Sequence, residues 1–458
     1  MTPEYRAFLA KKAPRPIATG IEPAPMNPAL FDYQVDATAF CIRQGRAALF
    51  LDTGLGKTIC ELEFASQASA HTTAPALLLT PLAVARQIEA EAKRFGYQAR
   101  VIREQCDVSD GINICNYDRL DKLTPSSFGC VVLDESSILK SFTGATTRAL
   151  ISAFRDTPFR LAATATPAPN DHMELGQHAE FLGVMASNEM LARWFVSDQT
   201  EMGRYRLKKH GVNDFWDWMA SWARMAETPA DLGYDASRFV LPELKVVRHR
   251  VAGDVRAPIG ALFLQDVSAT NIHGIKRQTA EARADAVAEL VDAEPDHNWV
   301  IWCDTDYEAD ALTRRMSWAA DVRGSMSIEK KEAGLASFSD GTTRAIISKP
   351  SICGYGLNWQ HADRQAFVGR SFSYESWYQA VRRSWRFGQK HPVHVHIAVA
   401  EGEDQIGRVI DRKAEDHAMM KRAMADAMRR DRARTSTVKV AYDPKHIGRT
   451  PSWLKSAA

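Results

Sequence analysis

The sequence predicts an α/β protein made of two parallel-sheet units, and three observations carry that prediction. Short apolar runs alternate with longer mixed segments, as buried parallel strands alternate with the helices that cover them. The runs fall into two series, at 47–51, 76–80, 112–116, 130–133 and 161–164, then at 299–303, 344–348, 365–369 and 393–399. The chain has 458 residues, enough for two or three domains of ordinary size.

Composition narrows the class further. Hydrophobic residues make up 45% and charged residues 25%, which excludes a mainly disordered or collagenous chain. Net charge is +2, from 58 basic and 56 acidic residues, so the whole-chain sum announces neither a nucleic-acid binder nor a membrane-surface protein. Seven cysteines (Cys41, Cys60, Cys106, Cys115, Cys130, Cys303 and Cys353) are scattered and form no Cys-x-x-Cys pair. A reducing, cytoplasmic setting is expected. The amino terminus lacks the apolar core of a secretory signal, and no run of about 18 apolar residues occurs, so no membrane partner is expected.

In chain order, residues 1–27 form a proline-rich segment with Pro14, Pro16, Pro23 and Pro25, residues that fix φ and remove backbone donors. The first unit spans 28–240. Within it, about 172–235 is rich in tryptophan, and the three- and four-residue spacing around Trp216, Trp218 and Trp222 predicts an amphipathic helix. Those residues and Trp194 read as packing a helical insertion against the first unit, with base stacking as the alternative. The second unit spans 241–420. His391, just before its last apolar run, and His394 and His396 within it have no acidic or cysteine partner nearby, and read as strand surface rather than a metal site. Residues 421–458 form a basic tail: 421–450 alone hold nine basic and three acidic residues, a local net of +6. The tryptophan segment and the tail are the candidate DNA-contacting additions.

Chemistry concentrates in Leu-Asp-Thr-Gly-Leu-Gly-Lys-Thr at 51–58, between an apolar run and a helix-compatible stretch. Strand, glycine loop and helix together form a phosphate-binding loop. Gly54 and Gly56 let the backbone around Leu55 curl so that successive N–H groups face an anion. Lys57 then reaches the outer phosphates and the Thr58 hydroxyl ligates Mg²⁺. Leu51 stands where the usual pattern opens on glycine or alanine. Val-Val-Leu-Asp-Glu at 131–135 delivers Asp134 and Glu135 to the carboxyl end of a strand, the edge where the loop also lies. Asp134 is suited to hold Mg²⁺ through water, and Glu135 to take a proton from an attacking water.

The order of these segments resembles superfamily 2 helicases and translocases, most closely their Swi/Snf-like branch. Leu-Phe-Asp-Tyr-Gln at 30–34 is similar to "L-x-x-Y-Q", Thr-Pro-Leu-Ala-Val-Ala-Arg-Gln at 80–87 to "C-P-x-x-x-x-x-Q-W", and Asp-Glu-Ser-Ser-Ile-Leu-Lys at 134–140 to "D-E-A-H-x-I-K". Leu-Ala-Ala-Thr-Ala-Thr-Pro at 161–167, followed by Asn170, resembles "L-x-L-T-G-T-P-x-x-N". In the second unit Arg323-Gly-Ser resembles "x-G-S", residues 348–358 with Gly354, Gly356 and Asn358 resemble "T-x-A-G-G-x-G-L-N", and 379–389 resemble "Q-A-x-D-R-x-H-R-x-G-Q". Ser136 and Ser137 depart from the commoner Ala-His, 350–353 depart from the glycine-rich pattern, and Arg382 stands where the branch has aspartate.

The resemblance implies two RecA-like P-loop lobes with ATP in the cleft between them. It implies that Gln34 reads the adenine edge, that Gly356 belongs to the nucleotide site, and that Arg383 and Arg386 are arginine fingers. A planar, permanently charged donor supplied from the second lobe makes hydrolysis depend on closure. The implied activity is an ATP-dependent DNA helicase or translocase that grips single- or double-stranded DNA mainly through phosphates. A duplex translocase that separates no strands, an RNA helicase and an ATP-switched DNA-binding scaffold are the alternatives.

Overall fold

The structure, a computed structural model, describes residues 16–82, 84–141, 144–197, 205–251, 269–354, 357–400 and 404–436. Lobe 1 opens with α1 (Asp32–Gln44), β1 (Arg46–Leu51), α2 (Lys57–Thr72), β2 (Ala76–Thr80), α3 (Ala85–Arg94), β3 (Ala99–Val101) and β4 (Ile112–Asn116). It continues through β5 (Cys130–Asp134), α4 (Ala145–Ala153), β6 (Phe159–Ala163), α5 (Leu175–Leu182) and α6 (Ser187–Trp194). A short antiparallel pair, β7 (Phe195–Ser197) and β8 (Tyr205–Leu207), precedes α7 (Val212–Ala220) and β9 (Ala223–Ala226). The main sheet runs β3-β4-β2-β5-β6-β1-β9 with every pairing parallel. Strands β2, β5 and β6 are buried at every position, which is why they read as unbroken apolar runs.

Strand β9 corrects the reading of 172–235 as a helical insertion. Its Ala223 pairs with Ala48 of β1, so the segment closes back onto the sheet as an edge strand beside the phosphate loop. Only four residues long and adjoining the tryptophan helix, it has no room to show a two-residue period. Trp194, Trp216, Trp218 and Trp222 are all buried in the lobe 1 core. Trp194 and Trp218 stack with ring centroids 4.7 Å apart. Packing, not base stacking, is the use these rings are put to.

Lobe 2 contains β10 (Leu244–Val251), α8 (Ala269–Gln278), α9 (Ala280–Ala293), β11 (Trp299–Trp302), α10 (Asp306–Arg315), β12 (Ala320–Val322), α11 (Ile328–Ser339) and β13 (Ala345–Ser348). Then come α12 (Pro350–Cys353), β14 (Arg364–Phe367), α13 (Tyr374–Val381), β15 (Val393–Ala400) and α14 (Asp404–Ser436). The sheet order is β10-β15-β14-β11-β13-β12, again parallel throughout. Two RecA-like lobes result. Edge strand β10 is largely exposed and carries Lys245, Arg248 and Arg250, so no apolar run announced it. His396 on β15 is buried rather than at the surface, with Nδ1 2.9 Å from Nε2 of His249 on β10. Burial, then His249, pushes His396 down to about 4. Among the described residues the metal-ligating side chains that gather are Glu104, Cys106 and Asp107, far along the chain from these histidines. No described helix is long and apolar enough to cross a membrane.

Helix α14 changes the reading of the basic tail. It runs for 33 residues, about 50 Å at 1.5 Å per residue, straight through the 420/421 boundary expected from sequence. Its first turns pack on lobe 2, where Ile406 and Ile410 cluster with Tyr374. Its later turns bury Met420, Met424, Ala427 and Met428 in the lobe 1 core. The charges follow: Arg430 bonds Asp217, Arg224 pairs with Asp431, and Arg432 donates to the Leu232 carbonyl. Arg430 and Arg432 are thus turned onto lobe 1. Lys439, Lys445 and Arg449 lie outside the described residues.

Met424→Ala should therefore loosen a strap between lobes and lower stability by about 2–5 kcal/mol, the range for truncating a buried methionine. Arg422→Ala, at an exposed position of the same helix, should stay within about 0.5 kcal/mol. Thermal melts of the two variants check this, and equal losses would contradict the strap.

Candidate active site

The loop after β1 takes its shape from two left-handed glycines. Gly54 has φ +93° and Gly56 φ +73°, conformations that side chains resist. Space is as restrictive as torsion. A Cβ on Gly56 would come within 2.3 Å of Gln34 Nε2, and one on Gly54 within 3.0 Å of the Phe387 backbone nitrogen in lobe 2. Helix α2 starts at Lys57, so its free N–H groups face the loop. Lys57 Nζ donates to the Leu51 carbonyl at 3.0 Å, and Thr58 follows in the first turn.

Gln34 is held against this loop. Its Nε2 donates to the Leu55 carbonyl at 2.9 Å, joined there by the Tyr33 hydroxyl, while Oε1 accepts from the Phe31 N–H at 2.8 Å. Phe31, Tyr33, Phe239 and Phe387 form an aromatic cluster beside it, and Phe239 stacks on Phe387 at 4.6 Å.

At the end of β5, Asp134 Oδ2 accepts from Thr80 Oγ1 at 2.7 Å, and its backbone carbonyl accepts from the Tyr117 hydroxyl at 2.6 Å. Burial, then the neighbouring Glu135, pushes the Asp134 carboxyl up to about 7. Glu135 has φ +54°, a left-handed turn at a non-glycine residue that costs of order 1–3 kcal/mol and clusters at active sites. That turn aims the side chain at Thr164, whose Oγ1 donates to Glu135 Oε2 at 3.1 Å and accepts from the Thr166 N–H at 3.1 Å. The Thr-x-Thr segment is thus wired to the carboxylate expected to act as base. Ser136, which replaces an alanine of the family pattern, lies 3.2 Å from Nε2 of the buried His178.

Arg382, Arg383 and Arg386 have different sets of partners. Arg383 is buried, donating through Nε and Nη2 to Gln379 and through Nη1 to the Leu357 carbonyl. A guanidinium so committed braces lobe 2. Arg386 is half-buried and bonds the Leu357 carbonyl at 3.3 Å, beside the Phe387 that presses on Gly54. Arg382, noted only as a departure from the family pattern, crosses to lobe 1 and donates to Asp52 Oδ2 at 2.6 Å. Lys421 of α14 reaches the same oxygen at 3.1 Å, and the Tyr378 hydroxyl donates to Oδ1. Burial alone would raise the Asp52 carboxyl, but Arg382 and then Lys421 overcome it and hold it well below the usual carboxylate range. Gly356 lies outside the described residues.

Further contacts cross the cleft: Lys140 pairs with Glu375, and Lys413 donates to Asn170. Within lobe 2, His417 of α14 meets the Tyr374 hydroxyl. On lobe 2, Asp304, Lys349, Ser351, Arg370, Ser371 and Ser376 line a cavity of about 50 Å³ at the carboxyl ends of β11, β13 and β14. Sequence reasoning passed over Asp52, Tyr378 and Lys421. The available signal was an arginine in place of an aspartate at 382 with a spare carboxylate inside the phosphate loop.

The helicase conserved C-terminal domain family matches residues 282–388, within lobe 2. Eukaryotic initiation factor 4A-3 of Nicotiana plumbaginifolia is 26% identical over 176 residues, 34% of this chain and 44% of that protein. Eukaryotic initiation factor 4A-III homolog B of Oryza sativa subsp. japonica is 25% identical over 176 residues, 34% of this chain and 43% of that protein. The chain spans less than half the length of these curated relatives. Among solved structures, the Sulfolobus solfataricus SWI2/SNF2 ATPase core in complex with dsDNA is similar over 89% of this chain and 95% of its own, with TM-score 0.42 and 16% identity. The fold has two parallel-sheet lobes, and the second of them carries the match to the helicase conserved C-terminal domain.

Asp52→Asn should cost about 3–5 kcal/mol, because it leaves Arg382 and Lys421 buried without their counter-charge. Its folded-state pKa is depressed, so its contribution is complete above the unfolded value near 4 and is lost as pH falls below it. Melting curves from pH 7 to pH 2 should show the wild-type advantage over Asp52→Asn shrinking only in the acid range.

Proposed function

We propose that the chain is an ATP-driven motor that moves along DNA, hydrolysing ATP between its two lobes. The observation that carries this is the meeting, at one sheet edge, of the phosphate loop and the Asp134-Glu135 pair, with lobe 2 closed over Gly54. Backbone N–H groups at the start of α2 and the Lys57 ammonium bind phosphates. Gln34, already fixed to Leu55, is placed to read the adenine edge. Thr58 and Asp134 are the residues that would hold Mg²⁺, and the buried, oxygen-rich setting between them suits a hard cation. Bound there, Mg²⁺ neutralises charge on the outer phosphates. Glu135 accepts the proton of the attacking water, and Thr164 reports that event to the lobe interface. Arg386 is the finger, supplied from lobe 2 so that turnover requires closure.

Lys349 and Arg370, with serine hydroxyls at the strand ends of lobe 2, suit a nucleic-acid phosphate, consistent with a grip that ignores sequence. The Swi/Snf-like pattern of motifs favours tracking on duplex DNA without separating strands.

Lys57→Ala should abolish hydrolysis while leaving the fold intact, and Glu135→Gln should bind ATP yet lose turnover. Arg386→Ala should cut kcat about a thousandfold or more. A normal rate in any of the three would remove that residue from its role. ATPase rates with single-stranded DNA, duplex DNA and RNA as separate stimulants, paired with strand- and triplex-displacement assays, choose among the substrates. Duplex stimulation with triplex but not strand displacement is the expected result. Stimulation by RNA alone would overturn the DNA assignment.

A further inference from the structure

Helix α2 carries two buried glutamates whose surroundings are opposite. Glu63 is satisfied: it accepts from the Tyr97 hydroxyl, from Gln67 Nε2 at 2.6 Å and from the Asn27 N–H at 3.3 Å. Glu61 is 0% exposed, and neither of its carboxylate oxygens has a hydrogen-bond partner among the described residues. A buried carboxylate without a partner costs several kcal/mol, and structures rarely keep one that nothing uses. Packing does not require it, since an apolar side chain of the same length would fill the space without that cost.

Its position says what would use it. Glu61 lies one turn beyond Lys57, hence on the same helix face, and α2 packs directly on β5. Asp134 is the charge it feels most, followed by Lys57, Glu135 and Glu91. Three of those four are acidic, so the protein supplies no net counter-charge. Lys57 itself is turned to Leu51 rather than to Glu61. What the group lacks is a source of positive charge and of several O–H donors at once. A divalent cation with its waters, held at Thr58 and Asp134, brings both.

We propose that Glu61 is a positioning residue for the divalent cation, accepting hydrogen bonds from the water around the ion that Thr58 and Asp134 hold. This rests on the ATPase reading above and adds to it a carboxylate set behind the phosphate loop. Glu61 acts by fixing the ion's place and does not touch the reacting atoms.

The test measures Mn²⁺ affinity by electron paramagnetic resonance, with saturating ADP, in the full chain and in Glu61→Gln, Glu61→Met and Glu63→Gln. Both Glu61 variants should bind Mn²⁺ about tenfold to a hundredfold more weakly, the usual penalty for losing an outer-shell partner. Their metal-free melting temperatures should equal or exceed the wild type, because a buried carboxyl group without a hydrogen-bond partner is gone. Glu63→Gln should lower the melting temperature and leave Mn²⁺ affinity within twofold, which separates a structural glutamate from a positioning one. Folded Glu61 variants with wild-type Mn²⁺ affinity would overturn the assignment, whatever their ATPase rate. If one variant fails to fold, the other gives the same reading. If the wild type itself takes up no Mn²⁺ with nucleotide, the ATPase reading fails and takes this proposal with it.

Discussion

Asp52 follows β1 directly, just before the glycine loop turns, and on its carboxylate three side chains from two distant stretches of chain converge. Arg382 comes from the end of α13, Tyr378 from within that helix, and Lys421 from the middle of α14. The carboxylate is almost wholly buried, so water cannot substitute for any of these partners. Closure of the cleft is consequently a condition for satisfying the charge. With the lobes parted, Asp52 regains water but Arg382 and Lys421 must be solvated anew. The glycine loop after β1 is in this way electrostatically joined to lobe 2.

The long helix α14 gives that link a mechanical partner. It begins on lobe 2, lays methionines into the core of lobe 1, and passes Lys421 across the cleft on the way. Movement of the lobes must therefore bend, slide or release this strap. His417 and Lys413 on the same helix contact the Tyr374 and Asn170 regions, so the strap also touches the segment that follows Thr164 and Thr166. Any motion between the lobes therefore involves helix α14.

Much of lobe architecture was legible because buried parallel strands carry their own signature. The run 76–80 became β2 and 112–116 became β4 without adjustment. Where burial fails, the signature fails with it: β10 is charged and exposed, and β9 is too short to show a period. The phosphate loop and the Asp134-Glu135 pair were legible for a related reason. Phosphate binding demands glycines, lysine and a hydroxyl at fixed spacing along one turn, so the chemistry is written locally. Arg383 and Arg386 look equivalent in sequence, yet one braces lobe 2 and the other lies beside the loop. Helical phase and local packing separate them, and neither can be read from a motif.

The local net of +6 near the carboxyl end illustrates the same limit. Charge counted along the chain gave a plausible nucleic-acid tail, but Lys421, Arg430 and Arg432 spend their charge on Asp52, Asp217 and Leu232. By itself the sequence determined the buried strands of the two sheets and the glycine-lysine-threonine spacing of the loop after β1, because both are properties of short contiguous stretches. Tertiary structure alone decided the partners of Asp52, the isolation of Glu61 and the direction of the terminal helix. Those depend on which side chains meet across hundreds of residues, and on how much water is left between them.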